Sequence, residues 1–159
     1  MPNASPIASV LADKLAAEGE RVAEFFAAHA DRQTVSIYAD GAAWSLRQTL
    51  EHLILSERSL LAVFRDVAAG GSGAPVDTDV EAFNRAHTDE LAALSYDALG
   101  EAFRAQRAVT VACARALTDE QLTLRGRHPA MGETPLGDMF KMIAMHGMMH
   151  LRDVRRALP

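Results

Sequence analysis

The sequence of 159 residues lacks the features that mark several classes of protein. Its single cysteine, Cys113, cannot form an intrachain disulfide or a thiolate metal cluster, so any metal site must use histidine and carboxylate ligands. No uncharged apolar run reaches the roughly 18 residues that a membrane span needs, and the N-terminus has neither the early positive charge nor the apolar core of a signal peptide. We therefore expect a cytoplasmic protein without a membrane partner.

Positively charged residues are also fewer than negatively charged ones. Lysine and arginine together number 16, against 21 aspartate and glutamate residues, which gives a formal net charge of -5. This balance leaves no excess of cations for holding nucleic-acid phosphates, so we expect no nucleic-acid partner. The length is close to the roughly 150 residues of one domain, and 49% of the residues are hydrophobic, so we expect a single domain over residues 1–159.

Apolar residues recur at helical spacing in four long segments. A capping box of Ser45 and Gln48 precedes the second segment, and Ser95 is a candidate N-cap for the third. Pro135 suits the first position of the fourth, where its missing N–H costs nothing. The four predicted helices span residues 6–29, 46–69, 96–117 and 135–157.

The segments between these helices carry loop and turn signals. Residues 31–43 lose the helical period, and Gly70–Pro75 is the clearest helix breaker. A short helix is predicted over 79–93, a single helical turn follows the capping box at Thr118, and residues 126–135 are predicted to form a loop. The fold class is therefore all-α: a four-helix bundle with a short helical insertion between helices two and three.

Two histidines stand one turn apart in the fourth predicted helix. At about 100° per residue, His146 and His150 share an apolar stripe with Met139, Ile143 and Val154. Buried imidazoles need partners, because an unpaired buried polar group costs about 1–3 kcal/mol. The spacing lets both rings reach one cation, but hydroxyl or carboxylate partners on other helices would also satisfy them. The pair therefore indicates either a metal site or two core histidines.

A metal site would need a third protein ligand. His52 is the best candidate, because it lies inside the second predicted helix on the flank of its apolar stripe, where a groove between helices would run. His29 near the end of the first helix suits the negative end of the helix dipole, His87 lies in the insertion, and His128 lies in a loop. We assign these last three no chemistry.

Four segments, taken in order, resemble the signatures of the DinB-like (YfiT-like) superfamily of damage-inducible four-helix bundle proteins. They are Trp44–Leu53, Thr118–Leu122, His128–Gly132 and His146–Leu151. The resemblance covers nearly the whole chain. It implies a divalent metal, nickel or zinc, held by His52, His146 and His150, and it implies a homodimer.

The chain departs from the superfamily's pattern beside the histidine pair. Many relatives have an acidic residue directly after the first histidine of the last helix and another histidine directly before the second. This chain has Gly147 and Met149 at those positions. The surroundings of the ligand pair are therefore less polar than in those relatives.

The resemblance also implies an activity, since the superfamily includes metal-dependent transferases for low-molecular-weight thiols, thiol-dependent isomerases and hydrolases. A site of three neutral imidazoles leaves a bound ion its full charge and an open position, so it can hold a thiolate or polarise a substrate oxygen. We expect a low-molecular-weight-thiol S-transferase or a hydrolase acting on a small electrophilic molecule, with the thiol cosubstrate brought from solution. The alternative is a noncatalytic bundle that binds a metal or a small ligand.

Three further residues are weaker candidates for the site. Asp153 lies three residues beyond His150 and Glu57 lies five beyond His52, so either carboxylate could orient a ligand or move a proton, although a surface charge or an ordinary ion pair is the simpler interpretation. Trp44 could line a substrate pocket or anchor its loop on the core, and we favour the anchor. The methionines of the last helix, Met142, Met145, Met148 and Met149, could line an apolar pocket or contact a partner, but core packing is the role we expect for them, and Cys113 is expected to be a small buried residue.

Overall fold

The computed structural model describes residues 5–40, 43–86 and 90–159. Its helices are α1 (Pro6–Ala28), α2 (Leu46–Ala68), α3 (Val80–Ala86), α4 (Tyr96–Arg115), α5 (Asp119–Thr123) and α6 (Leu136–Ala157), and its strands are β1 (Arg125–His128) and β2 (Gly132–Pro135). The all-α prediction is confirmed, with α1, α2, α4 and α6 as the four long helices. Within the described ranges, no helix is long and apolar enough to cross a membrane.

Side-chain caps decide where three of the long helices begin. Ser45 and Gln48 form the predicted capping box at the start of α2, and Ser95 accepts a backbone hydrogen bond at the start of α4. Ser5 caps α1 in the same way. Each hydroxyl oxygen satisfies a backbone N–H that has no partner inside the helix.

The four long helices pack as a bundle in which α1 and α2 each lie against both α4 and α6. One buried cluster, around Leu15 and Phe64, joins the first halves of α1 and α6 to the second halves of α2 and α4. A second cluster, around Phe26 and Phe103, joins the second halves of α1 and α6 to the first halves of α2 and α4. Helices α1 and α6 therefore run in one direction, and α2 and α4 run in the other.

A layer of charged residues lies between these two clusters. Arg107 of α4 donates hydrogen bonds to both carboxylate oxygens of Glu57 in α2, over 2.9 and 3.0 Å, and a further one to Glu18 of α1. All three side chains are buried. Gly147 of α6 packs against this layer, because a Cβ at that position would collide with Oε1 of Glu18. Burial raises the pKa of Glu18, although the positive charge of Arg107 opposes the shift.

The predicted loop over 126–135 is wrong, since most of it forms the β1–β2 hairpin. Gly132, with φ of 71°, supplies the left-handed residue at the turn. Because β2 continues through Pro135, this residue is the N-cap of α6 rather than its first helical residue. A strand of four residues is too short to show a recognisable alternation of apolar and polar residues. Strand β1 is also held by backbone hydrogen bonds to the distant Ser72 and Ala74, which no local pattern indicates.

The insertion between α2 and α4 contains less helix than predicted. The predicted helix over 79–93 is reduced to α3, its part over 87–89 lies outside the described residues, and the chain forms turns from 90. Arg47 of α2 donates hydrogen bonds to the carbonyls of Leu91 and Leu94. These carbonyls are therefore held by a side chain of the bundle.

Candidate metal centre

Helices α2 and α6 bring three histidines together. His52 lies near the beginning of α2, and His146 and His150 lie one turn apart on α6. Nε2 of His146 is 3.1 Å from Nε2 of His52 and 2.9 Å from Nε2 of His150. The three residues that the sequence selects as candidate ligands therefore converge on one point.

The spacing of these nitrogens suits a divalent metal ion. Tetrahedral zinc with Zn–N bonds of about 2.0–2.1 Å keeps its nitrogen ligands about 3.3 Å apart, close to the two separations above. One ligand atom from each histidine lies within 4.8 Å of the other two. The three residues could thus hold a divalent ion and leave at least one coordination position for another ligand.

Burial keeps the three imidazoles neutral. It lowers the pKa of His52 to about 2, that of His146 to about 3 and that of His150 to about 4. For His52, repulsion from positive charge on the other two rings adds to the effect. The neutral imidazole is the form that binds metals, so the site offers its lone pairs at neutral pH.

A tyrosine and an aspartate orient His150. The Tyr38 hydroxyl lies 2.7 Å from Nδ1 of His150 and donates a hydrogen bond to Oδ2 of Asp153 over 2.9 Å. Because the hydroxyl gives its single proton to the carboxylate, it accepts the Nδ1–H of His150. Nε2 of His150 then carries the lone pair that faces the other two rings. Burial, together with the hydrogen bond to Asp153, raises the pKa of Tyr38 and keeps its hydroxyl protonated.

A mostly apolar cavity of about 480 Å³ lies beside the three histidines. Trp44 forms part of its wall and stacks on the ring of His52, with the ring centroids 4.3 Å apart. The Trp44 carbonyl also accepts a hydrogen bond from the backbone N–H of Ile37 over 2.8 Å. Trp44 therefore both lines the cavity and holds its loop, and its role toward a substrate stays a prediction. Other apolar members of the wall include Leu60, Val63, Phe83, Met142 and Met149.

A second cavity, of about 400 Å³, lies next to the first. Both cavities are lined by Trp44, Asn84 and His150. The second one is more polar, since Tyr38 and Asp40 contribute to its wall. Of the three candidate ligands, His150 therefore borders both cavities, whereas His52 and His146 line the apolar one.

The two carboxylate candidates lie in different places. Asp153 is at the centre, where it reaches His150 through the Tyr38 hydroxyl. Glu57 instead forms the buried ion pair with Arg107 in the bundle core and is not among the residues that line either cavity. Its side chain points to α4, whereas His52 on the same helix faces α6.

Of the other three histidines, two lie among the described residues. His29 is the C-cap of α1, and its ring donates a hydrogen bond to the carbonyl of Phe25 over 2.8 Å. His87 lies outside the described residues. His128, predicted to be a loop residue without chemistry, is instead buried on β1 and lines the apolar cavity. The hairpin carries it there.

The methionines of α6 divide between the cavity and the surface. Met142 and Met149 line the apolar cavity, while Met145, Met148 and Met149 are 61%, 37% and 42% exposed. The core-packing prediction is therefore wrong for these three exposed methionines, because none of them lies on the buried stripe of α6. Cys113 is half-buried and packs against the first apolar cluster.

The chain also matches a known protein family. The family model of the DinB superfamily matches residues 14–154. The chain belongs to the DinB superfamily. A search of curated proteins finds no match. In this DinB protein the glycine after the first histidine of α6 has a packing reason, since Glu18 of α1 occupies the space that a Cβ of Gly147 would take.

Sequence reasoning missed two residues of this DinB site. Tyr38 lies in the irregular segment between α1 and α2, and no local pattern indicates which element it faces. His128 begins one of the four segments that resemble the superfamily, which is the one signal that could have drawn attention to it. Both residues reach the site through contacts between distant parts of the chain.

Proposed function

We propose that this DinB protein is a metal-dependent enzyme that acts as a low-molecular-weight-thiol S-transferase or a hydrolase on small electrophilic substrates. The observation that carries the proposal is the convergence of three neutral histidine nitrogens beside a cavity of about 480 Å³. Cavities of this size accommodate small organic molecules. A metal ion held at its edge would have substrate within reach.

The chain's own residues supply the ligands and hold them in place. Nickel or zinc bound by His52, His146 and His150 would supply a Lewis acid that stabilises a thiolate or polarises a substrate oxygen. Tyr38 and Asp153 hold the proton of His150 on Nδ1, so that Nε2 remains available as a ligand. The mostly apolar wall offers a bound substrate few hydrogen-bonding groups other than those at the centre.

One feature supports a transferase over a hydrolase. His150 lines both the apolar cavity and the more polar one, an arrangement that suits two different substrates approaching one centre. The single cysteine, Cys113, lines neither cavity, so a reacting thiol would have to come from solution. A hydrolase would need one organic substrate and water.

Metal analysis tests the proposal. We expect the wild-type protein, reconstituted with zinc or nickel and desalted, to retain about one ion per chain. His146→Ala should lose it, because two ligands do not form a stable site. His29→Ala is the matched control and should retain the ion, since His29 caps α1 away from the centre. Background metal in both the wild type and His146→Ala would contradict the proposal.

Activity assays on the metal-loaded protein then separate the reaction classes. Consumption of a thiol such as cysteine or glutathione in the presence of a panel of electrophiles indicates a transferase, and cleavage of a panel of esters and amides indicates a hydrolase. Inactivity throughout, with metal bound, would favour the noncatalytic bundle. The homodimer implied by the superfamily stays a prediction, and light scattering at micromolar concentration tests it, with a monomer mass as the contrary result.

A further inference from the structure

Two buried N–H donors in the wall of the apolar cavity have no hydrogen-bond partner. They are Nε1 of Trp44 and Nε2 of His128, and both side chains are more than nine-tenths buried. Buried polar atoms nearly always have a partner, because leaving one unpaired is destabilising. Among the described residues, the remaining unpaired buried side-chain atom is Oε1 of Glu18, in the bundle core. Both unpaired donors therefore belong to residues that line one cavity.

The surrounding geometry makes Nε2 of His128 a donor. The backbone N–H of Ala130 donates to Nδ1 of the ring over 3.1 Å, so Nδ1 carries the lone pair. Burial lowers the pKa of His128, so the ring stays neutral and its one proton is on Nε2. Pairing of β1 with β2 fixes the backbone of His128, and the centroid of its ring lies 6.1 Å from that of the Phe64 ring. The donor is thus held in one position.

His128 also lies near the candidate metal centre. It lines the same cavity as His146, and a positive charge on it would lower the pKa of His146. The rest of the wall is mostly apolar. A ligand that fills this cavity would gain from apolar contact over most of its surface and from a hydrogen-bond acceptor at the position of His128.

We propose that His128 is a ligand-binding residue of this cavity, whose Nε2–H donates a hydrogen bond to an oxygen acceptor carried by an otherwise apolar ligand. The inference rests on the proposed function, because both place a small molecule beside the three histidines. Neighbouring atoms cover Nε2, so a small displacement of the cavity wall accompanies binding, as is common for side chains at binding sites.

The fluorescence of Trp44 reports ligand binding directly, because Trp44 is the single tryptophan of the chain and lies in the cavity wall. Two probes of similar shape, cyclohexanone and methylenecyclohexane, differ in having an oxygen acceptor or a methylene group at one position. The Kd of each is measured from tryptophan emission of the full chain, as purified and again after dialysis against EDTA. The quantity compared between variants is the ratio of the Kd for methylenecyclohexane to the Kd for cyclohexanone.

Three substitutions of His128 test the contributions of its two ring nitrogens separately. His128→Gln keeps a donor near the position of Nε2, His128→Asn keeps an acceptor near that of Nδ1 for Ala130, and His128→Phe keeps the ring without either. We expect the ratio to be about two- to tenfold higher in the wild type and His128→Gln than in the other two variants. Equal ratios in all four proteins, or a high ratio in His128→Asn with a low one in His128→Gln, would overturn the proposal.

A second measurement needs no variant to fold. In long-range proton–nitrogen spectra of the wild type, the Nε2–H signal of His128 should shift with cyclohexanone and stay in place with methylenecyclohexane. The absence of that difference would overturn the proposal. Metal retention distinguishes this failure from failure of the proposed function: a zinc-binding protein with no preference for the ketone refutes the role of His128 alone, and a preference without zinc binding refutes the metalloenzyme alone.

Discussion

Replacing Arg107 with methionine tests the buried charged layer most directly. The guanidinium donates two hydrogen bonds to Glu57, one to Glu18 and one to the carbonyl of Leu15, and the two glutamates are 4% and 3% exposed. Arg107→Met leaves both carboxylates buried without a cation. Breaking a buried pair in this way costs about 3–5 kcal/mol. For a chain of this length, that loss lowers Tm by about 6–20 °C.

The loss should depend on pH in a defined direction. Burial already raises the pKa of Glu18, and the charge of Arg107 is what opposes the shift. Without that charge, Glu18 holds its proton to higher pH in the folded variant than in the unfolded chain. A carboxyl group with a raised folded-state pKa adds stability at low pH that is lost as pH rises. The stability deficit of Arg107→Met should therefore be larger at pH 7.5 than at pH 5.

Urea unfolding followed by helical circular dichroism measures both effects. Arg104→Met is the matched control, because Arg104 lies one turn earlier on α4 and pairs with Glu20 at the surface, where the two side chains are 39% and 53% exposed. An exposed pair contributes about 0.2–1 kcal/mol, so this variant should remain close to wild type. A loss of under about 1 kcal/mol for Arg107→Met at pH 7.5 would refute the argument, since a broken buried pair costs several times more. A deficit that grows toward pH 5 would refute it as well.

Three further predictions concern α6 and the candidate metal centre. Gly147→Ala should destabilise the protein by about 1–3 kcal/mol in urea unfolding, because the added Cβ meets Glu18. Gly100→Ala is the control and should be neutral or stabilising, because a Cβ at that position meets nothing within 4 Å. Equal effects of the two substitutions would contradict the packing argument. Tyr38→Phe should weaken zinc binding about 10–100-fold in chelator competition, because His150 loses the hydroxyl that fixes its tautomer, and unchanged affinity would remove that role. The free energy of unfolding of the metal-free protein should fall by about 1.4 kcal/mol per site histidine for each pH unit below about 6.5, because the lowered folded-state pKa values make protonation favour the unfolded chain. Unfolding midpoints at pH 7.5 and 5.5 check this, and a variant with glutamine at all three positions should show a much smaller loss.

Local sequence signals determined most of the helical framework. The capping box of Ser45 and Gln48 marks the start of α2, because side chains three residues apart satisfy each other's backbone donors without any distant contact. The spacing of His146 and His150 likewise places both rings on one side of α6 from helix geometry alone. These features could be predicted because each depends on residues within one turn of the chain.

Tertiary structure decided which side chains meet. Glu57 and His52 lie five residues apart on α2, yet the packing of the bundle sends one to Arg107 and the other to His146. Tyr38 and His128 reach the same region from a loop and from a hairpin of four-residue strands. Such contacts join residues far apart in the chain, and their partners depend on how the helices pack. The sequence by itself therefore determined the helices and the three candidate ligands, while the fold alone decided what surrounds them.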